Sequence, residues 1–188
     1  MNIKELSIPC VKLITPEIHH DSRGYFLETF NLNKLESCLN SRSYVQDNET
    51  YSEYGVLRGI HFQSPPYAQS KLMRVIQGEV FDVIVDLRSD SPTFGKHLEI
   101  ILTGDSKKML YVPRGFAHGF LVMSEKAVFL YKVDSYYHPK SERTLDWKDK
   151  TLKINWPLSE SEILLSEKDK YGLNWNQLPK IDQKRWES

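Results

Sequence analysis

Two histidines stand in settings that could move protons. His61 lies in VLRGIHFQ (residues 56–63) and His118 in VPRGFAHGF (residues 112–120). Imidazole changes charge near neutral pH, so either ring could act as acid or base; the ordinary alternative for a histidine in an apolar strand is a satisfied core residue. His118 shares strand parity with Phe120 and Val122, which should turn it inward. Gln63 stands where a second imidazole beside His61 would help to make a metal site, and a divalent ion ordinarily takes two or three imidazoles plus a carboxylate. Tyr131 shares parity with Phe129 and Val133, so its phenol points with an apolar face, either as a core aromatic or as a proton donor whose hydroxyl needs a partner. Lys71 heads a strongly apolar strand, where a lysine snorkelling at the rim is the ordinary reading.

The elements that must position these groups read as short strands. In VFDVIVDLR, Phe81, Val83, Val85 and Leu87 alternate with Asp82 and Asp86, the period of a strand with one face buried. HLEIILTG, KKMLYVP, GFLVM and AVFLYKV follow, each bounded by Gly, Pro, Ser or Asp. Regularly spaced short strands predict an all-β antiparallel sandwich or barrel. Helix is scarce: Leu32, Leu35 and Leu39 share a helical face after Asn31, and the stretch after Pro157 has room for another short helix.

Composition narrows the classes. The 188 residues carry 25 Lys+Arg against 25 Asp+Glu, and this zero net charge argues against a general nucleic-acid or membrane-surface binder. Eight Phe, four Trp and ten Tyr supply too much burial potential for disorder over most of the chain. Cys10 and Cys38 are far apart, with no Cys-x-x-Cys and no zinc-spaced His, so neither a disulfide framework nor a structural zinc is expected. The first twenty residues break their apolar content with Lys4, Glu5, Pro9, Lys12 and Pro16, which gives no signal core and no membrane span; a cytoplasmic protein is expected. Without repeats or a low-complexity linker, residues 1–188 read as a single domain, with an arm over about 1–50, a core over about 51–150 and a C-terminal segment over about 151–188.

Pro113, Gly115 and His118 match part of the second cupin motif, Pro-x-Gly-x-x-His, while His61-Phe62-Gln63 departs from the His-x-His of the first. The resemblance sharpens when blocks are taken together. DSRGYFLETFN (21–31), VQDN (45–48), VLRGIHFQ (56–63), AQSKLMRVIQGEVFDVIVDLRSDSPTFG (68–95), VPRGFAHGF (112–120), YKVDSYYHP (131–139) and LSEKD (165–169) resemble, in order, the dTDP-4-dehydrorhamnose 3,5-epimerase family over roughly residues 5–170. That resemblance implies a cupin-type jelly-roll β-barrel with a few short peripheral helices, a homodimer, no metal or other cofactor, and a dTDP-linked 4-keto-6-deoxy sugar as substrate.

The implied chemistry suits these side chains. A C4 ketone acidifies the hydrogens at C3 and C5, so inversion needs a base on one face, a proton donor on the other and positive charge near the enolate oxygen. By resemblance His61 is the base, Asp169 its orienting carboxylate, Tyr131 the acid, and Lys71 with His118 the enolate stabilisers. An isolated Asp169 would otherwise read as a surface or cap carboxylate. Arg58, Glu142 and Lys168 match nucleotide-sugar contacts, and the two cations suit a diphosphate. Gln46 and Asn48 match sugar or nucleotide contacts, Tyr137 an aromatic that stacks on thymine, and Arg23 with Glu28 residues that reach a partner's nucleotide.

Arg58 and His61 have opposite parity, so aiming both into one cavity requires a turn at Gly59 or a bulge; otherwise Arg58 meets the diphosphate at the rim. The motifs leave open an epimerase acting at one carbon or on another nucleotide, while a metal-dependent cupin and a non-catalytic sugar binder are the rivals from other classes. The tail after Asp169 carries no recognisable motif.

Overall fold

Short β-branched and aromatic runs interrupted by turn residues are too brief for stable helices and pair instead into sheets. The computed structural model describes residues 1–39 and 43–188. Its strands are β1 (Asn2–Glu5), β2 (Lys12–Thr15), β3 (Ile18–Asp21), β4 (Gly24–Leu27), β5 (Gln46–Glu53), β6 (Leu57–Gln63), β7 (Lys71–Gln77), β8 (Glu79–Asp86), β9 (His97–Thr103), β10 (Met109–Val112), β11 (Phe116–Val122), β12 (Lys126–Val133) and β13 (Glu142–Thr144). Short helices α1 (Leu32–Leu35) and α2 (Gln183–Glu187) lie outside them. Asn31 caps α1 by accepting from the Lys34 N–H, and the helix ends before Leu39, so the expected Leu32/Leu35/Leu39 face is only partly helical: Leu35 and Leu39 are buried and Leu32 is exposed. None of the helices among the described residues is long and apolar enough to cross a membrane.

Two antiparallel sheets build the expected jelly roll, one of order β1-β2-β10-β7-β12-β5 and one of order β13-β6-β11-β8-β9; β3 and β4 form a separate hairpin. Their facing sides share one core, in which Met73, Val75, Leu110 and Phe129 of the first sheet meet Val80, Ile84, Leu102 and Phe120 of the second. Leu35, Cys38 and Leu39 cover part of the first sheet's outer side over Ile14, Leu72, Met109 and Tyr111.

The outer side of the second sheet is covered as well, and here the alternation in β8 misled. Val83, Val85 and Leu87 pack beneath Leu145, just after β13, and Leu152, Ile181 and Trp186 of the C-terminal segment, so both faces of β8 are buried rather than one. Trp186 lies edge-on to Phe62 with ring centroids 6.0 Å apart, and its indole N–H donates to the Ile181 carbonyl. The motif-free tail thus supplies the lid that the sheet's second apolar face needs; each large apolar side chain so buried contributes about 1.5–3 kcal/mol. Asp82 and Asp86, expected on a solvated face, are fully buried and paired instead. Asp86 accepts from Arg88 Nε and Nη2 at 2.9 and 2.7 Å and from the Ser91 and Thr93 hydroxyls, which offsets the cost of removing its charge from water.

The parity conflict in β6 is resolved by a bulge. Strand β11 pairs His118 with His61 but Phe120 with Arg58, so β6 carries one extra residue over this step and Arg58 and His61 turn to the same side. Gly59 makes this feasible: its φ is +127°, and a Cβ there would stand 2.5 Å from the Gly119 Cα.

Candidate active site

A cavity of about 240 Å³ opens between the two sheets, and both sheets furnish its walls. His61 and His118 are direct partners across β6 and β11, so they project side by side from one wall. Lys71 on β7 and Tyr131 on β12 come from the opposite sheet, where Val133 pairs with Lys71 and Tyr131 with Met73. Arg58, Glu142, Lys168 and Asp169 complete the charged lining, while Phe120 and Phe129, stacked with centroids 4.3 Å apart, give an apolar floor.

The wall formed by β6 and β11 carries two histidine–carboxylate pairs. His61 Nε2 lies 2.5 Å from Asp169 Oδ1, bringing together residues 108 positions apart. Asp169 begins a 3₁₀ turn (Asp169–Tyr171), where its N–H donates to the Ser166 carbonyl and hydroxyl oxygens. Burial alone would raise the Asp169 carboxyl, but the bond and charge from His61, with help from the Ser166 hydroxyl and the Gly59 N–H, hold it below its ordinary value. It is therefore an anion beside the ring at neutral pH.

His118 Nε2 lies 2.8 Å from Asp82 Oδ2. Burial lowers the His118 pKa, Asp82 opposes that shift, and the nearby Lys71 and His61 charges reinforce it. Lys71 Nζ makes no hydrogen bond or ion pair among the described residues; burial, opposed by Asp82 and Glu142, lowers its ammonium to about 8. Tyr131 packs against Phe129, and its hydroxyl has no protein partner among the described residues. Burial, then the Glu142 charge, raises its pKa, so it is a neutral phenol at physiological pH.

A polar chain leads from the cavity to its rim. Lys168 Nζ pairs with Glu142 Oε1 at 2.6 Å, the Tyr137 hydroxyl donates to Glu142 Oε2 at 2.8 Å, and the Tyr137 N–H donates to Gln46 Oε1. Gln46 in turn donates to Asn48 Oδ1. Arg58 reaches the rim, exposed, with Nε donating to the Ser52 hydroxyl at 2.9 Å. Eleven of the thirteen residues singled out from sequence therefore lie in the cavity or on this chain. Arg23 and Glu28 do not. Arg23 on the β3–β4 hairpin pairs with Asp21, and Glu28 with Asn31 and Lys34, away from this chain's own cavity.

Asp82 was missed because both faces of β8 are apolar and its sequence pattern did not reveal which side was interior. Thr50, Ser166 and the two phenylalanines were missed for a different reason: they are ordinary strand and loop residues until the sheets close around them. Among the described residues no group of three or more His, Cys, Asp and Glu side chains is arranged to hold a metal ion.

Fold and site together define a jelly-roll enzyme whose partly cationic cavity sets an imidazole–carboxylate pair opposite a neutral phenol. Comparison with known proteins makes that class specific: residues 5–177 match the dTDP-4-dehydrorhamnose 3,5-epimerase family, and the chain belongs to it. It is 46% identical over 173 residues to the dTDP-4-dehydrorhamnose 3,5-epimerase of Shigella flexneri, covering 92% of this chain and 94% of that one. The Pseudomonas aeruginosa protein of the same name is 48% identical with the same coverage. Among solved structures, the dTDP-6-deoxy-D-glucose-3,5-epimerase of Legionella pneumophila in complex with dTDP-4-keto-L-rhamnose superposes with a TM-score of 0.90 at 45% identity, covering 95% of this chain and 94% of that one. A 3′-monoepimerase from Streptomyces bikiniensis in complex with dTDP-quinovose superposes at 0.83 with 31% identity, covering 90% and 86%.

Proposed function

We propose that this protein inverts C3 and C5 of dTDP-4-dehydro-6-deoxy-D-glucose to give dTDP-4-dehydro-L-rhamnose, a step of dTDP-L-rhamnose biosynthesis. The observation that carries this reading is the placement of His61–Asp169 and Tyr131 on opposing sheets of one cavity. With Nε2–H donating to Asp169, His61 keeps the Nδ1 lone pair for the proton it removes from carbon, and the carboxylate stabilises the imidazolium that results. Electron density moves to the C4 oxygen, where the Lys71 ammonium supplies positive charge and His118 stands on the facing wall as a polar neighbour. Tyr131 returns a proton from the other face, which inverts the carbon. Arg58 and Lys168 suit the diphosphate, and Tyr137 the thymine.

The monoepimerase among the structural relatives favours one alternative, inversion at a single carbon. NMR of the product formed from the dTDP sugar separates the two: the L-rhamno configuration supports inversion at both carbons, and a product changed only at C3 overturns it. Arg23 and Glu28 do not line this chain's cavity, and Tyr25 and Phe26 on the β3–β4 hairpin are 54% and 68% exposed, which supports a homodimer in which this arm serves the partner's site. Light scattering on the purified protein tests that. The free thiols Cys10 and Cys38 support a cytoplasmic location.

Lys71 implies a pH dependence. Its ammonium is present below about 8 and lost above it. The turnover rate should therefore fall as pH rises through about 8, approaching tenfold per unit, while Lys71→Met should be slow throughout and lack that limb. A kcat profile that stays flat to pH 10 would show that the ammonium is not used.

A further inference from the structure

Gln63 is two residues along β6 from His61, yet it has no part in the proton transfers. Its side chain, 5% exposed, points at backbone. Nε2 donates to the Tyr67 carbonyl at 2.6 Å and to the Tyr136 carbonyl at 3.3 Å, and Oε1 accepts from the His138 N–H at 2.7 Å. A primary amide has two donors and one acceptor oxygen, so all are engaged. Two of these contacts fall on the peptides immediately before and after Tyr137.

That bracket matters because the connection between β12 and β13, residues 134–141, lies at the surface, with Tyr136 and Tyr137 69% and 51% exposed. Few apolar contacts hold such a segment, and an aromatic on it would lose conformational freedom on binding. Tyr137 is also held by its N–H on Gln46 Oε1 and its hydroxyl on Glu142 Oε2, and further ties of the segment run to the loop that follows β6. Tyr67 stacks on His138 with centroids 3.7 Å apart and rings inclined by 2°, Ser64 N–H donates to the Ser141 carbonyl, and Gln69 Nε2 donates to the Ser135 carbonyl.

We propose that Gln63 is a positioning residue for the nucleotide end of the substrate: its amide fixes both peptides flanking Tyr137, so that the ring is ordered before the base arrives. The proposal rests on Tyr137 as the nucleobase-stacking residue. One strand then sets two things at once, the base His61 at the reacting carbons and, through Gln63, the platform for the nucleobase. The position that would carry a metal ligand in a metal-binding relative of this fold is used here to hold the nucleotide site.

Two variants of the full-length protein test this. Gln63→Glu keeps the shape and the acceptor but turns a carboxylate toward two carbonyls; Gln63→Met removes every polar atom, and Gln63→Glu carries the test if that variant does not fold. Expected in both are a KM for the dTDP sugar raised about tenfold, a kcat within about threefold of the parent, and faster amide hydrogen exchange over residues 134–141 without nucleotide. In a Tyr137→Ala background, Gln63→Met should raise KM no further. Unchanged exchange over 134–141 would overturn the bracket itself, and so would a loss confined to kcat. Faster exchange with unchanged KM would show that the bracket exists but does not serve binding. If Tyr137→Ala alone leaves KM unchanged, the nucleobase assignment is what fails, and the proposal falls with it.

Discussion

His61→Ala should lower epimerisation by about three orders of magnitude and abolish deuterium exchange into the sugar, because it removes the group placed to accept the carbon-bound proton. The loss is larger than for any other single group on that wall. His118, the neighbouring imidazole, is tied to Asp82 and depressed in pKa by its burial, so it is a poor substitute base. Truncation also leaves the buried Asp169 carboxylate without its main partner, which would destabilise the site. His61→Asn is the companion variant, since its amide can still donate to Asp169 while offering no basic nitrogen. Both should be inactive, and the folded state of the Asn variant separates lost chemistry from lost structure. Exchange at the parental rate in a folded His61→Asn protein would remove His61 from the role of base.

The second large effect is expected from Tyr131→Phe, and its signature is different. The substitution deletes one oxygen that has no protein hydrogen bond and leaves the ring against Phe129, so stability should change by only about 0.5 kcal/mol. Inversion should fall by about 100-fold or more, because the face opposite His61 loses its proton donor. Proton removal does not need that donor. His61 can still take a proton and return a deuteron to the same face, so wash-in with retained configuration should outlast inversion, and the ratio of exchange to inversion should rise. Following both by NMR on one sample decides the matter: if exchange and inversion fall together, Tyr131 is acting on the first step rather than as the donor for the second.

These expectations depend on features of unequal legibility. Strand parity alone aimed His118 inward with Phe120 and Tyr131 inward with Phe129, because each lies in a regular run where side chains alternate. The conflict between Arg58 and His61 was equally legible and left a turn at Gly59, a bulge or a rim position for Arg58; the bulge occurs, and Arg58 also reaches the rim. Parity failed at Asp82, since it cannot say which of two apolar faces lines the cavity. Pairings across long stretches of chain are invisible to local pattern. His61 with Asp169, Glu142 with Lys168 and Gln63 with the peptides around Tyr137 exist only once the sheets and loops have closed, and for the first alone the ordered family motifs stood in for geometry. Trp186 illustrates the same limit: a lone tail tryptophan becomes intelligible only when the second sheet is seen to need a cover.

The most direct test of the whole account is NMR of dTDP-4-dehydro-6-deoxy-D-glucose incubated with the protein in heavy water. The account predicts deuterium at both C3 and C5 and a product of L-rhamno configuration, with neither appearing in the His61→Asn protein. A product bearing solvent deuterium at only one of the two carbons, or an unchanged sugar with none, would contradict it.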